Sequence, residues 1–328
     1  MTGGKAADKL PPLMNKSPVI IDCDPGQDDA IAVLLALASP ELEVLGITTV
    51  AGNVPLRLTA LNARKTRELS GRRDVPVLAG ADRPLKRTLV TAEEVFGPSG
   101  LEGADLPEPE LPLDPRHAAD FIVETVMARP AGTVTLLPVA PLTNVALAMQ
   151  KEPRLARHLK QIVLMGGAIG LGNTTPAAEF NIHVDPHAAE IVFASGATLA
   201  MLGLDVTHQA ITTPERVAAI AALGTRVSRV VADWLRYYDR HDAERYGTRG
   251  GPLHDPCAVG YVLWPELFQG RLCHVAVETE GRHTMGRTVV EWWPPKRRPP
   301  AGPPNCMVID RIEHETFFAR LTAGLGRL

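Results

Sequence analysis

Apolar stretches of strand length alternate along this chain with longer apolar patterns of helical period. The β-favouring run Val19-Ile-Ile leads into Asp22-Cys-Asp24-Pro-Gly-Gln-Asp28-Asp29, and an apolar run, Ala-Ile-Ala-Val-Leu-Leu-Ala-Leu, follows. That order predicts a strand over 19–22, an acidic loop, and a helix over 28–38 that stops before Pro40. β-Branched residues over 42–50 predict a second strand whose end turns at Gly52-Asn53; a helix over 55–69 and a short strand over 75–78 come next. A βαβαβ opening of this kind predicts a parallel sheet with crossover helices. Residues 79–115 are rich in Pro and Gly with little periodicity, and such a segment inside a compact domain suits a functional wall or lid better than a linker.

Further on, the pattern predicts a helix over 117–129, a strand over 133–137, a helix from Leu142, and a strand over 161–165 ending in Gly166-Gly167. A second irregular stretch, 168–181, precedes a helix over 185–193 and a strand over 198–204. Two helices broken near Gly224 cover 213–240, with Tyr237 and Tyr238 close to the second one's end, and another helix spans 257–263. The last part predicts β structure over 271–280, 288–292 and 306–310, then a helix from Glu313. Acidic or amide residues recur just after several strands, the edge where open α/β sheets bind ligands. The fold class expected is α/β: a single large domain over 17–328 with an open, mostly parallel, Rossmann-like twisted sheet flanked by helices, a flexible tail over 1–16, and a proline-rich surface loop over about 293–305.

Composition narrows the function classes. At 328 residues and 45% hydrophobic, the chain can bury a large core. A formal charge of −3 with scattered basic residues gives no reason to expect a nucleic-acid partner. The four cysteines, Cys23, Cys257, Cys273 and Cys306, lack zinc spacing and suit reduced buried thiols. No apolar run reaches membrane-spanning length and residues 1–17 lack the apolar core of a signal peptide, so a soluble cytoplasmic protein with no membrane partner is expected.

The chemistry concentrates in the acidic loop. Four carboxylates within eight positions repel one another, and their pKa values rise unless a cation or donors intervene. A helix N-terminus explains Asp28 and Asp29 as caps, but not Asp22 at a strand end or Asp24 in a Pro-Gly turn. A divalent cation held by oxygen ligands, calcium or magnesium, accounts for all four. His254-Asp255-Pro256 opens a helix and offers a second carboxylate beside a histidine; Asn173, Glu179 and Asn181 form a polar cluster of the type that binds hydroxyls, though turn-forming residues would give the same composition.

Taken together, these residues resemble the inosine–uridine-preferring nucleoside hydrolases over nearly the whole chain. The acidic loop, Ala51-Gly52-Asn53, Pro141-Leu-Thr-Asn144, Met165-Gly-Gly, Glu179-Phe-Asn181, Asp205-Val-Thr-His208 and His254-Asp255-Pro256 follow in the family's order, and Gly281 and Gly286-Arg-Thr288 also fit. The resemblance implies a calcium-dependent ribonucleoside hydrolase, a homodimer or homotetramer, that splits a small-molecule ribonucleoside into free base and ribose. By the same resemblance Asp24, Asp29 and Asp255 would bind calcium through side chains and Val139 through its carbonyl. Asp24 would deprotonate the calcium-bound water that attacks the anomeric carbon, and His254 would act as general acid for the departing base. Asp28, Asn53 and Asn181 would hold the lower ribose hydroxyls, Asn173 and Glu179 the 5′-hydroxyl, and Asp22 would support the ligands from behind. The chemistry is coherent, because surrounding carboxylates stabilise the positive charge that builds on ribose as the bond breaks.

Three departures bear on the base. Phe96 stands where many members carry a histidine, which replaces a polar contact with an apolar wall. Ala140 replaces the usual glycine before Pro-Leu-Thr-Asn, and the proline-rich loop is unusual. Met165, Phe96 and Tyr238 complete the expected substrate-facing set, with Tyr237 a second candidate for stacking on the base. Two other readings stay open on the residues. A magnesium-dependent phosphatase also places Asp-x-Asp after its first strand, and a nucleoside- or ribose-binding protein could keep the pocket without the catalysis.

Overall fold

The chain enters its main sheet at an interior strand and winds outwards from it, which buries the end of that first strand. The computed structural model describes residues 16–293, 296 and 299–328, without the side chains of 241–244 and 246. The expected tail, Lys16 apart, and part of the proline-rich loop lie outside the described residues. The strands are β1 Ser17–Cys23, β2 Leu42–Thr49, β3 Val77–Ala79, β4 Thr135–Pro138, β5 Gln161–Met165, β6 Leu199–Leu202, β7 Phe268–Cys273, β8 Val275–Val277, β9 Thr288–Val290 and β10 Cys306–Ile312. Eight of them form one sheet in the order β3-β2-β1-β4-β5-β6-β10-β7, all neighbours parallel except β10 and β7. β8 and β9 pair antiparallel in a separate ribbon. The order reverses direction between β1 and β4, so the crevice beyond their carboxyl ends is where an open α/β sheet takes its ligand.

Alternate residues of each central strand feed two hydrophobic clusters, one on each face. Ile21, Val163 and Met165 belong to one cluster, and Ile20, Ile162 and Leu164 to the other. This is why the strands read as unbroken apolar runs. The helix Gln27–Ala38 is buried along its entire length, packed among the helices Leu56–Leu69, Arg226–Tyr246, Pro256–Leu263 and His314–Leu325. From Ala30 onwards its sequence is apolar all round, as full burial requires. The acidic residues at its start are thereby carried into the interior.

Element boundaries differ from expectation in four places. The third strand is Val77–Ala79, shifted past Pro76. The strand expected over 198–204 ends at Leu202, and its last residues form the short helix Leu204–Thr207. The β structure expected over 271–280 is two strands, β7 starting at Phe268 and β8 starting at Val275. The helix after Gly224 runs to Tyr246, which places Tyr237 and Tyr238 well inside it instead of near its end. No helix among the described residues is long and apolar enough to cross a membrane.

Candidate active site

β1 delivers the acidic loop to the switch point, and the loop is braced largely by its own backbone donors. Asp29, in the first turn of the helix, accepts from the Asp24 N–H at 3.0 Å through Oδ1 and from the Gly26 N–H at 3.0 Å through Oδ2. It therefore does act as a helix cap. Asn53, just beyond β2, binds the loop three times more: its N–H donates to Asp24 Oδ2 at 2.7 Å, and its side-chain amide donates to the Asp24 carbonyl at 3.0 Å and to Asp29 Oδ2 at 3.1 Å. Gly52 lets this happen, since a Cβ there would stand 2.0 Å from Asp24 Oδ2.

Asp22 sits behind the others. Its Oδ1 accepts from the Thr48 hydroxyl at 2.6 Å and from the Asn144 amide at 2.8 Å. Asn144 also donates to the Thr49 carbonyl at 3.0 Å and accepts from the Ala81 N–H at 2.8 Å, tying β1, β2 and the segment after β3 together. Thr48 and Asn144 were not assigned a role from sequence; the Pro-Leu-Thr-Asn run was the available signal for Asn144.

The other half of the acidic site comes from the start of the helix Pro256–Leu263. Asp28, Asp29 and Asp255 each offer a carboxylate oxygen, and the three oxygens lie within 4.8 Å of one another. Asp24 is not part of that group, whereas Asp28, expected to face ribose, is. All four carboxyls are raised above the ordinary aspartate range. Burial is the first cause for each, and repulsion adds to it at three of them: Asp29 and Asp28 act on Asp24, Asp29 on Asp28, and Asp28, Asp29 and Asp24 on Asp255, whereas hydrogen bonds hold Asp29 back. Asp28 is pushed up to about 8 and Asp29 to about 6. Asp24 Oδ1 and Asp28 Oδ1 are buried, and neither meets a hydrogen-bond partner among the described residues. A cluster of this kind is short of positive charge.

A cavity of about 180 Å³ opens over this cluster. At its acidic end lie Asp28, Asn53, Val139 and Asp255; Asp24 and Asp29 are fully buried beneath. Met165, Asn173, Glu179 and Asn181 line it from the β5 side. Glu179 caps the short helix Phe180–Val184, accepting from the N–H groups of Asn181 at 2.9 Å, Gly167 at 2.8 Å and Ile182 at 3.2 Å, and burial still pushes it up to about 7. The Asn181 amide donates to the Val139 carbonyl at 3.3 Å and the Met165 carbonyl at 3.2 Å. Asn173 accepts from the Phe180 N–H at 3.0 Å.

The remaining side is apolar. Phe96 and Tyr238 stack at 5.8 Å with an interplanar angle of 26°, packed with Ala92, Val95 and Phe180. Tyr238 therefore reaches the cavity, while Tyr237 carries the Arg240 guanidinium over its ring at 4.1 Å and is not among the lining residues. Arg245 also lines the cavity and donates to the Asn173 carbonyl, a contact that no sequence signal pointed to. His254 lines the cavity beside Asp255, with Nδ1 2.7 Å from the Thr207 hydroxyl and its ring centroid 5.6 Å from that of His208. Burial, then the neighbouring His208, push it down to about 3, so the ring is neutral at pH 7 instead of poised near neutrality.

Comparison with known proteins points one way. A family model described as inosine-uridine preferring nucleoside hydrolase matches residues 19–319. The chain is 46% identical over 310 residues to the pyrimidine-specific ribonucleoside hydrolase RihA of Citrobacter koseri, covering 94% of this chain and 98% of that one. It is 49% identical over 311 residues to an uncharacterised protein of Schizosaccharomyces pombe, covering 94% and 99%. Among solved structures, a plant nucleoside hydrolase superposes with a TM-score of 0.87 at 32% identity, covering 94% of this chain and 98% of the other. A purine-preferring ribonucleoside hydrolase from Gardnerella vaginalis superposes with a TM-score of 0.87 at 30% identity and the same coverage.

Proposed function

The chain belongs to the inosine–uridine-preferring nucleoside hydrolase family and is a ribonucleoside hydrolase; from that premise we propose how its cavity divides the work. Ribose sits at the acidic end and the base lies along the apolar side. The carrying observation is the convergence of Asp255 with the acidic loop, more than two hundred positions away in sequence, at a cavity that also exposes His254.

Asp24, Asp29 and Asp255, with the Val139 carbonyl, would hold a divalent cation. The fit rests on the buried Asp24 Oδ1 without a partner, on the convergence of Asp29 with Asp255, and on a donor set made of oxygen alone, which suits calcium. When bound, the cation supplies positive charge that offsets the carboxylate repulsion, orients the ribose diol and acidifies a water. Asp24 takes a proton from the water whose oxygen bonds to C1′. The C1′–N bond breaks with its electron pair passing to the base, and the base leaves after gaining one proton overall. Asp28, Asn53 and Asn181 bind the lower ribose hydroxyls, and Asn173 and Glu179 bind the 5′-hydroxyl. His254, neutral at rest, assists departure by hydrogen bonding to the base. Phe96, Tyr238 and Met165 give the base its apolar surface.

Similarity to a relative named pyrimidine-specific favours uridine and cytidine over inosine. The family reading also makes the enzyme a cytoplasmic homodimer or homotetramer, which sedimentation would check for assembly. The test of function is ribose release from a nucleoside panel, with and without a calcium chelator. We expect release that is strongest with uridine or cytidine, lost with chelator, and lowered by roughly a hundredfold or more in Asp24→Ala. Tight nucleoside binding without any ribose would leave a binding protein, and phosphate release from a phosphomonoester would leave a phosphatase.

A further inference from the structure

The Asp205-Val-Thr-His208 run has no part in the mechanism above, yet one of its side chains touches the histidine that faces the base. Thr207 ends the short helix Leu204–Thr207 just beyond β6 and is fully buried. Its hydroxyl lies 2.7 Å from His254 Nδ1, and among the described residues that is its only side-chain hydrogen bond. A buried hydroxyl has one proton that needs an acceptor. The Nδ1 lone pair is the acceptor within reach, so the hydroxyl donates and Nδ1 accepts. With Nδ1 accepting, the ring carries its proton on Nε2. No hydrogen bond to Nε2 occurs among the described residues, and the ring lines the cavity, so this N–H is available to a bound base. The His208 ring, 5.6 Å away and inclined by 52°, packs beside the imidazole and limits how far it can swing.

We propose that Thr207 is a positioning residue for base departure: its hydroxyl fixes the orientation and the Nε2–H tautomer of His254, so that a donor faces the leaving base. The inference rests on the reading that His254 assists departure. As the C1′–N bond breaks, its electron pair passes to the base, and Nε2–H donates a hydrogen bond to the atom that gains charge. The ring need not release its proton in this step. Without the hydroxyl, the proton can move to Nδ1, and Nε2 then presents a lone pair to a base that is becoming anionic. That arrangement is repulsive where the wild-type arrangement is attractive.

The discriminating experiment compares uridine with 4-nitrophenyl β-D-ribofuranoside, whose phenolate leaves without help. Thr207→Val is expected to lower kcat on uridine by at least about tenfold and to change turnover of the nitrophenyl riboside by less than about twofold. Thr207→Ser, which keeps the hydroxyl, restores uridine turnover. Imidazole nitrogen NMR on the unmutated enzyme provides a measurement that does not depend on the variant folding, and it should show His254 protonated at Nε2. Equal loss on both substrates in Thr207→Val, or a wild-type ring protonated at Nδ1, overturns the inference. His254→Ala separates the two levels of the argument. Equal loss on both substrates in that variant removes the role of His254 itself. Selective loss in His254→Ala but not in Thr207→Val removes only the role of Thr207.

Discussion

Glu179 shows how costly a single side chain in this site is to bury. It accepts three backbone N–H bonds, each favouring the carboxylate, and burial outweighs them, raising its pKa from 4.5 to about 7. In the folded chain it holds its proton up to about pH 7, whereas the unfolded chain releases it near 4.5. Between those values the native state binds more protons, so stability falls as pH rises through that window, by up to about 3 kcal/mol for this residue alone. Thermal melts of chelator-treated protein from pH 5 to pH 8 should show a smaller decline in Glu179→Gln than in wild type; equal slopes would mean that another group sets the pH dependence. Gly52 is constrained by contact instead of charge. A Cβ there would lie 2.0 Å from Asp24 Oδ2, so Gly52→Ala must displace the proposed base. Displacement by about 1 Å costs roughly a hundredfold in rate, and ribose release by a variant with an unchanged circular dichroism spectrum would measure it.

The apolar side of the cavity is built by elements that the local pattern described least well. Phe96 lies on the short helix Glu93–Phe96 inside a long irregular segment, and its ring would clash at 2.4 Å with a Cβ on Gly26, so it packs directly onto the acidic loop. Tyr238 reaches it from a helix that continues to Tyr246. Removing the Tyr238 ring should raise KM for nucleosides by about fivefold with little change in kcat, because an aromatic contact is worth about 1 kcal/mol and acts on binding. Inhibition by free ribose should stay unchanged in Tyr238→Ala; a parallel loss of ribose inhibition would show that the ring shapes the whole pocket. The strands around the switch point, by contrast, were legible: burial on both faces leaves an apolar run, and a polar residue, Asp22 near the end of β1 and Asn53 after β2, marks where some of the runs leave the sheet. What local pattern could not supply was which distant groups meet. The Thr207–His254 bond, the Arg245 contact to Asn173 and the support of Asp22 by Asn144 join residues 47, 72 and 122 positions apart. The helix expected to end near Arg240 continued because no Gly or Pro intervenes before Gly247.

At the scale of the whole molecule, the proposed cation site would make folding and cation binding one equilibrium. The loop after β1 and the start of the helix Pro256–Leu263 come together only when the sheet is assembled, and buried helix Gln27–Ala38 packs directly against that second helix. In the unfolded chain Asp255 is far from Asp28 and Asp29, so a cation held as proposed would bind the native state preferentially. A ligand at a hundred times its dissociation constant then stabilises the fold by about 2.7 kcal/mol, and for a chain of 328 residues this raises Tm by roughly 4 °C. Calcium added to chelator-treated wild type should produce that rise, whereas magnesium should produce less because it demands a tighter octahedral shell. Asp255→Asn removes one of the three converging carboxylates and its repulsion. The variant should therefore melt as high as the metal-free wild type or higher, yet gain little from calcium. A wild-type Tm that calcium leaves unmoved, or an Asp255→Asn variant that gains as much as wild type, would place the cation elsewhere and leave the crowded carboxylates to be neutralised by protons alone.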